Sequence, residues 1–188
     1  MKNIVLLASG SGTNAENIVE YFQDSDIAKV TAIYTNNPKA GVIDKARKLA
    51  VPCHLVKESD LEDGSFLEKL RAKNTSIIAL AGYLKKIPQS ILEAYPNRIV
   101  NIHPALLPDY GGEGMYGKHV HQAVLDNEEE VSGITIHYVS EEYDEGEIIF
   151  QEQVEVDYED DWKDLDYKVR QLEYKHYPEV LEYLIKDL

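Results

Sequence analysis

Cysteine and basic residues are scarce in this chain, and each scarcity excludes a class of protein. Among 188 residues the only cysteine is Cys53, so the chain can form neither an internal disulfide nor a cysteine-based metal site. The 19 lysines and arginines are outnumbered by 34 aspartates and glutamates, giving a formal net charge of −15. Nucleic acid is therefore not expected as a partner, because its phosphates need a basic surface. A small anion can still bind at a helix N-terminus.

Long apolar runs are also missing. The run that follows the N-terminus, residues 4–8, is too short to cross a membrane, and no signal-peptide layout surrounds it. Together with the lone cysteine, this predicts a cytoplasmic protein without a membrane partner. The length and the 44% content of hydrophobic residues suit a single domain over residues 1–188.

Strand-like apolar runs alternate with amphipathic segments of helical length along most of the chain. We predict strands at 4–9, 30–35, 52–56, 76–81, 98–103, 132–139 and 147–156, and helices at 14–23, 41–49, 66–73, 88–95, 118–126 and 163–185. This order predicts an α/β fold with a mostly parallel twisted sheet, helices on both faces and an antiparallel C-terminal portion. Pro178 is expected to interrupt the last helix.

The turn after the first predicted strand is rich in glycine. Residues 10–15 read Gly-Ser-Gly-Thr-Asn-Ala, which fits the Gly-x-Gly-x-x-Ala pattern of dinucleotide sites. Such sites need an acidic residue after the second strand, where residues 34–38 carry none, and no Walker A lysine follows the glycines. The turn therefore favours a single phosphate, held by the N–H groups of Gly12, Thr13 and Asn14. A tight turn without a ligand is the alternative.

Polar side chains end the fifth predicted strand, where ligands of open α/β sheets bind. Asn101 and His103 are two positions apart and would point the same way on a strand. Asp144 lies in an acidic loop about 40 residues downstream. An amide donor, an imidazole and a carboxylate are the groups that acyl transfer needs to handle an oxyanion and a proton. His137 is interpreted either as a support for this site or as part of a polar strand face. No recognised metal-ligand spacing is present, so no metal is predicted.

Several motifs in one order carry a resemblance that covers the chain from about residue 4 to residue 185. They are SGSGTN at 9–14, LAGYL at 80–84, NIHPALLP at 101–108, GITIHYV at 133–139, YDEG at 143–146 and EYKHYP at 173–178. The chain resembles the phosphoribosylglycinamide formyltransferase family within the folate-dependent formyltransferases, which implies a Rossmann-like formyltransferase fold. Relatives such as methionyl-tRNA formyltransferase and formyltetrahydrofolate deformylase carry extra domains that are not expected here. A formyltransferase acting on an amino-sugar nucleotide is the alternative.

The resemblance implies an enzyme of de novo purine biosynthesis that moves a formyl group from 10-formyltetrahydrofolate, a co-substrate, to the amine of glycinamide ribonucleotide. Asn101 matches the donor of a hydrogen bond to the formyl oxygen. His103 matches the catalytic histidine, which donates a proton to the oxyanion. Asp144 matches the aspartate that orients the site and raises the pKa of that histidine. The partners would be small molecules only, and the protein a monomer or a homodimer.

The resemblance also divides the binding residues into two groups. The substrate group comprises Gly12, Thr13, Asn14, Arg170, Gln171, Leu172 and Glu173. The folate group comprises Leu84, Lys85, Lys86, Ile87, Asn101, Ser140, Glu141, Glu142, Tyr143 and Asp144, with Lys57 as the candidate basic contact. The Leu107–Pro108 bond is expected to be cis. The glycine-rich loop 109–118 is either a mobile lid or an ordinary loop.

Overall fold

Seven strands form one sheet in the computed structural model, which describes all of residues 1–188. The strands are β1 (Lys2–Leu7), β2 (Ala28–Thr35), β3 (Cys53–Leu55), β4 (Thr75–Leu80), β5 (Ile99–His103), β6 (Val131–Tyr138) and β7 (Ile148–Glu155). Their order across the sheet is β3-β2-β1-β4-β5-β6-β7. The strands β1 to β5 are parallel, and β6 and β7 are added in antiparallel pairing. The predicted mixed sheet is confirmed.

The helices are α1 (Thr13–Tyr21), α2 (Val42–Lys48), α3 (Glu58–Glu62), α4 (Ser65–Ala72), α5 (Gln89–Ala94), α6 (Lys118–Asp126) and α7 (Trp162–Lys186). The sequence predicts all of them except α3. That short helix buries none of its residues, so it has no apolar periodicity to reveal it. Its first turn is instead held by the Asp60 carboxylate, which accepts a hydrogen bond from the Lys57 backbone N–H at 3.2 Å.

Alternate residues of β1 belong to opposite faces of the sheet. Ile4 and Leu6 pack in a cluster with residues of α1, α2, α6 and α7. Val5 and Leu7 pack in a second cluster with residues of α4 and α5. The part of a central strand that is covered on both faces must be apolar, which explains the unbroken apolar run from Ile4 to Leu7. The expectation of helices on both faces is confirmed.

The last helix runs through Pro178 without a break, contrary to the expectation. A proline in a helix cannot bond the carbonyl four residues earlier, here that of Tyr174. That carbonyl instead accepts a hydrogen bond from Asn17 Nδ2 of α1 at 2.8 Å. The neighbouring Tyr177 hydroxyl is fully buried and lies 2.9 Å from the Leu80 carbonyl and 3.0 Å from that of Val100. These contacts fix α7 against α1 and the ends of two strands.

Two further features bear on the expectations. The Leu107–Pro108 peptide bond is cis, as the resemblance implies. None of the helices combines the length with the apolar character that a membrane crossing requires.

Candidate active site

A cavity of about 680 Å³ opens where β1, β4 and β5 end. Its walls come from residues 10–14, 80–87, 101–104, 112–117 and 139–144, together with part of α6 and α7. This is the edge of an open α/β sheet at which ligands bind. One end of the cavity, formed by residues 10–14 and by α7, is called the phosphate end below, after the ligand that the sequence predicts for it. The opposite end, formed by residues 83–87 and 139–143, is called the loop end.

Asn101 lies between the two ends and faces His137 on the neighbouring strand. Its Nδ2 donates a hydrogen bond to His137 Nε2 at 3.1 Å. The other ring nitrogen, Nδ1, lies 2.8 Å from the Tyr138 carbonyl, which can only accept. In its neutral form His137 therefore carries its proton on Nδ1 and accepts at Nε2, which fixes the orientation of the Asn101 amide. The second amide hydrogen of Asn101 has no protein acceptor and is available to a ligand.

His103 ends β5 on the same side and is 3% exposed. Its Nε2 lies 2.8 Å from the Tyr110 carbonyl, so this nitrogen carries the ring proton in the neutral form. Its Nδ1 lies 3.5 Å from the Asp144 carboxylate. Nε2 is thus engaged in a hydrogen bond to the Tyr110 carbonyl, and Nδ1, beside the Asp144 carboxylate, remains free to exchange a proton.

Asp144 is held in place by the backbone around it. Its φ is 60°, a left-handed conformation that aspartate tolerates better than most residues. One carboxylate oxygen accepts a hydrogen bond from the Gly112 N–H at 3.0 Å, and the other lies 3.5 Å from His137 Nε2. The carboxylate therefore sits between two histidines and ties the loop after β5 to the loop after β6.

The two central ionisable groups have shifted pKa values. Burial lowers the pKa of His103, and this effect outweighs Asp144 and the Tyr110 carbonyl, which both raise it. Burial would raise the pKa of Asp144, but contacts with His137, His103 and the Gly112 N–H bring it below its usual value. The carboxylate thus acts on His103 in the predicted direction. The net pKa of His103 is nevertheless lowered, because desolvation of the ring is the larger effect.

The phosphate end begins at the first helix turn. Gly12 has a φ of 76°, and a Cβ at this position would lie 2.5 Å from Cβ of Val42, so only glycine fits. The next residues open α1 and leave its first N–H groups facing the cavity edge. Asn14 Nδ2 donates to the Glu173 carboxylate at 2.9 Å. Burial nevertheless raises the pKa of Glu173 to about 7, against the lowering effects of Asn14 and Arg170.

A second polar chain crosses the phosphate end. Arg170 donates to one oxygen of Asp166 at 2.6 Å, and the other oxygen lies 3.4 Å from His121 Nε2. The His121 ring is 1% exposed, and its Nδ1 has no partner. The three side chains therefore connect α6 to α7 beside the cavity.

The loop end is held together by charge and aromatic contacts. Lys86 Nζ lies 2.6 Å from the Glu142 carboxylate and 5.3 Å from the centre of the Tyr143 ring. The Tyr143 hydroxyl donates to the Leu84 carbonyl at 3.4 Å. The hydrogen bond from Lys86 to Glu142 raises the pKa of the lysine, which keeps the ammonium charged. These contacts bridge the loop after β4 and the loop after β6.

The formyl transferase family matches residues 2–181, nearly the whole chain. The chain belongs to this family.

Known proteins with similar sequences or structures align with nearly the whole chain. A phosphoribosylglycinamide formyltransferase of Arabidopsis thaliana, designated chloroplastic, is 39% identical over 96% of the chain, which spans 64% of that protein. The phosphoribosylglycinamide formyltransferase of Bacillus subtilis (strain 168) is 34% identical over 98% of the chain and 95% of its own length. The crystal structure of glycinamide ribonucleotide transformylase 1 from Symbiobacterium toebii has a TM-score of 0.90 and 30% identity, covering 100% of this chain and 89% of that one.

Most of the predicted site residues line the cavity of this formyl transferase, and three do not. The cavity gathers Asn101, His103, Asp144, residues 12–14, residues 84–87 and 140–143, Arg170 and Glu173. Gln171 and Leu172 lie outside the lining because only positions three or four apart share one face of α7. Lys57 also lies outside it, at the N-terminus of α3.

Several residues contribute to the site although the sequence assigns them no role. The Tyr110 carbonyl carries no side-chain signal and could not be found from a motif. His121 and Asp166 are separated by more than forty residues and meet only through helix packing. The sequence leaves the role of His137 open, although its alternation with Ile134 and Ile136 predicts that it lies on the face opposite to them. No group of three or more histidine, cysteine, aspartate or glutamate side chains converges as a metal site would.

Proposed function

We propose that this formyl transferase moves the formyl group of 10-formyltetrahydrofolate to the amine of glycinamide ribonucleotide, giving formylglycinamide ribonucleotide and tetrahydrofolate. The observation that carries the proposal is the meeting of Asn101, His103 and Asp144 in one cavity, between a helix turn suited to phosphate and a pair of loops. The names of the relatives support this acceptor over an amino-sugar nucleotide.

The amide of Asn101 is placed to stabilise the developing negative charge. The amine attacks the formyl carbon, a new C–N bond forms, and the formyl oxygen becomes an oxyanion. The free N–H of Asn101 donates to that oxygen, while the bond to His137 holds the amide still during the reaction. A preorganised donor of this kind contributes about a hundred- to a thousandfold in rate.

His103 handles the proton through Nδ1. Its lowered pKa leaves the imidazole neutral at neutral pH, so Nδ1 accepts the proton that the attacking amine loses. This differs from the role that the resemblance implies, in which His103 donates a proton to the oxyanion, because that role needs the imidazolium form from the start. The imidazolium then lies beside the Asp144 carboxylate, which stabilises it. When the bond from the formyl carbon to the folate nitrogen breaks, His103 returns the proton to that nitrogen, directly or through a water, and the proton count balances.

Each end of the cavity is suited to one of the two ligands. The N–H groups that open α1 receive the phosphate of the acceptor, and Glu173 and Arg170 lie beside its sugar and glycyl portions. The loop end receives the pterin between residues 84–87 and 140–143, where backbone groups and the apolar Ile87 and Val139 face the cavity. The protein is predicted to work in the cytoplasm on these small molecules, as a monomer or a homodimer.

The test is an acceptor comparison. The enzyme is mixed with 10-formyltetrahydrofolate and either glycinamide ribonucleotide or an amino-sugar nucleotide, and release of tetrahydrofolate is followed by absorbance. Turnover with glycinamide ribonucleotide alone is expected. Turnover with only the amino-sugar nucleotide would overturn the proposal.

A further inference from the structure

The proton of the neutral His103 ring can lie on either ring nitrogen, and two neighbours compete for it. The Asp144 carboxylate lies 3.5 Å from Nδ1 and, as a pure acceptor, favours the proton on that nitrogen. The Tyr110 carbonyl lies 2.8 Å from Nε2 and can likewise only accept, so it favours the proton there. Nδ1 can take up a proton only while the ring proton stays on Nε2. The position of the carbonyl therefore decides whether His103 is a base at Nδ1.

The backbone that carries this carbonyl is not held by regular structure. Tyr110 has a φ of 58°, in the left-handed region that a bulky side chain rarely adopts. Such a conformation persists only where its surroundings hold it. The next two residues are glycines, and the Gly112 N–H donates to the Asp144 carboxylate at 3.0 Å. The backbone of residues 110–112 thus contacts both His103 and Asp144, and Tyr110 carries the only side chain by which this segment can be fixed.

The Tyr110 side chain is anchored outside the cavity. Its hydroxyl donates to Glu129 Oε1 at 2.6 Å and accepts a hydrogen bond from Asn127 Nδ2 at 2.9 Å. Asn127 caps the C-terminus of α6, and Glu129 follows two positions later. The Tyr110 ring packs against the hydrophobic cluster that contains Ile4. Tyr110, Asn127 and Glu129 do not line the cavity, so they act on a ligand only through other residues.

Resting on the proposed function, we infer that Tyr110 is a positioning residue for the proton transfer. Its hydroxyl, held by Asn127 and Glu129, fixes the carbonyl that keeps the ring proton of His103 on Nε2. Nδ1 is then free to take the proton of the attacking amine. When the hydroxyl is removed, the carbonyl loses its fixed position, Asp144 draws the ring proton to Nδ1, and the site loses its base.

Nitrogen-15 NMR of protein labelled in its histidine rings tests the inference, because it shows which nitrogen carries the proton and needs no ligand. The His103 signals are assigned by their loss in His103→Ala. In the wild type, above the pKa of the ring, the proton should lie on Nε2. Tyr110→Phe keeps the aromatic ring and should move part of the proton population to Nδ1. It should lower kcat about five- to tenfold, as the loss of one hydrogen bond allows, and leave KM within about twofold.

The partner of the hydroxyl allows a rescue experiment. Glu129→Gln keeps an oxygen acceptor for Tyr110 and should behave as the wild type, whereas Glu129→Ala should reproduce part of the Tyr110→Phe effect. The double variant Tyr110→Phe/Glu129→Ala should be no worse than Tyr110→Phe, because both changes break the same hydrogen bond.

A matched control is Tyr21→Phe, which removes a tyrosine hydroxyl bonded to the Glu182 carboxylate away from the cavity. It should change neither the proton position on His103 nor kcat. The inference is overturned if His103 keeps its proton on Nε2 in Tyr110→Phe, whatever happens to stability or rate. A proton shifted to Nδ1 with an unchanged kcat would uphold the anchor and overturn instead the role of Nδ1 in the proposed function.

Discussion

The two ends of the cavity are built differently, although both serve the same central residues. The phosphate end consists of regular elements, with glycine at a helix start and side chains from the long α7 packed around it. The loop end consists of two connections, joined by exposed charges and one aromatic contact. Packed helices hold the atoms that line the phosphate end at fixed distances, whereas the two loops of the loop end can move apart and come together again.

This difference suggests how each ligand is recognised. A phosphate needs fixed N–H groups, which a packed helix supplies without reorganisation. A folate is long and partly apolar, and must pass between walls that open before they close around it. The centre between them is fixed from both sides, because Asn101 is held by His137 and His103 by the Tyr110 carbonyl.

The largest expected effect lies at that centre, which both ends require. His103→Ala should lower kcat by about a hundred- to ten-thousandfold, because the proton between the amine and the folate nitrogen loses its carrier. Stopped-flow measurement of tetrahydrofolate release gives the rate. Binding of glycinamide ribonucleotide by calorimetry should stay within about twofold of the wild type. If the affinity for glycinamide ribonucleotide fell as much as kcat, His103 would be a binding residue for the acceptor and the proton-transfer role would be wrong.

Asp144→Asn should lower kcat less and change its dependence on pH. The neutral imidazole of His103 accepts the proton, so activity falls as the pH drops through the pKa of that group. Asp144 raises that pKa, so removing its charge should move the acid limb of the kcat profile to lower pH. An acid limb that stays in place or moves upward would contradict the arrangement derived for the pair.

The phosphate end should be intolerant of added volume. Gly12→Ala places a methyl group 2.5 Å from Val42 Cβ at a φ of 76°. Steric overlap and backbone strain together should cost about 2–4 kcal/mol of unfolding free energy and weaken phosphate binding. Chemical denaturation and titration with glycinamide ribonucleotide measure the two effects. The matched change Gly10→Ala meets no atom within 4 Å and should leave stability nearly unchanged.

The same contrast explains what could be predicted from the sequence. The phosphate turn, the strand pair Asn101 and His103, and the central strands follow from local patterns, and the structure places them as expected. Contacts between distant residues did not follow, because side-chain types alone do not specify them. Lys86 and Glu142 are 56 positions apart, and the Asn17 amide that accommodates Pro178 comes from another helix.

The dependence of stability on pH tests whether Glu173 is desolvated at the phosphate end. The pKa of Glu173 is raised to about 7 from 4.5, so the folded protein binds this proton more tightly than the unfolded chain does. The wild type should therefore lose stability relative to Glu173→Gln as the pH rises from about 4.5 to about 7, by about 1–3 kcal/mol. Above pH 7 the difference should be constant. Thermal melts at intervals of pH would show no such slope if the carboxylate were solvated in the folded protein.

The smallest effect on the unfolding free energy is expected at the loop end. Its size shows whether the Lys86–Glu142 pair stabilises the fold. The Lys86–Glu142 pair is solvent-exposed on both sides, so Lys86→Gln should change the unfolding free energy by less than about 1 kcal/mol. A similarly small change is expected for Lys69→Gln, which serves as the reference in the same urea titrations. A loss at Lys86 well beyond that reference would mean that the bridge holds the two loops in their fold. The loop end would then be as rigid as the phosphate end, and the contrast between them would fail.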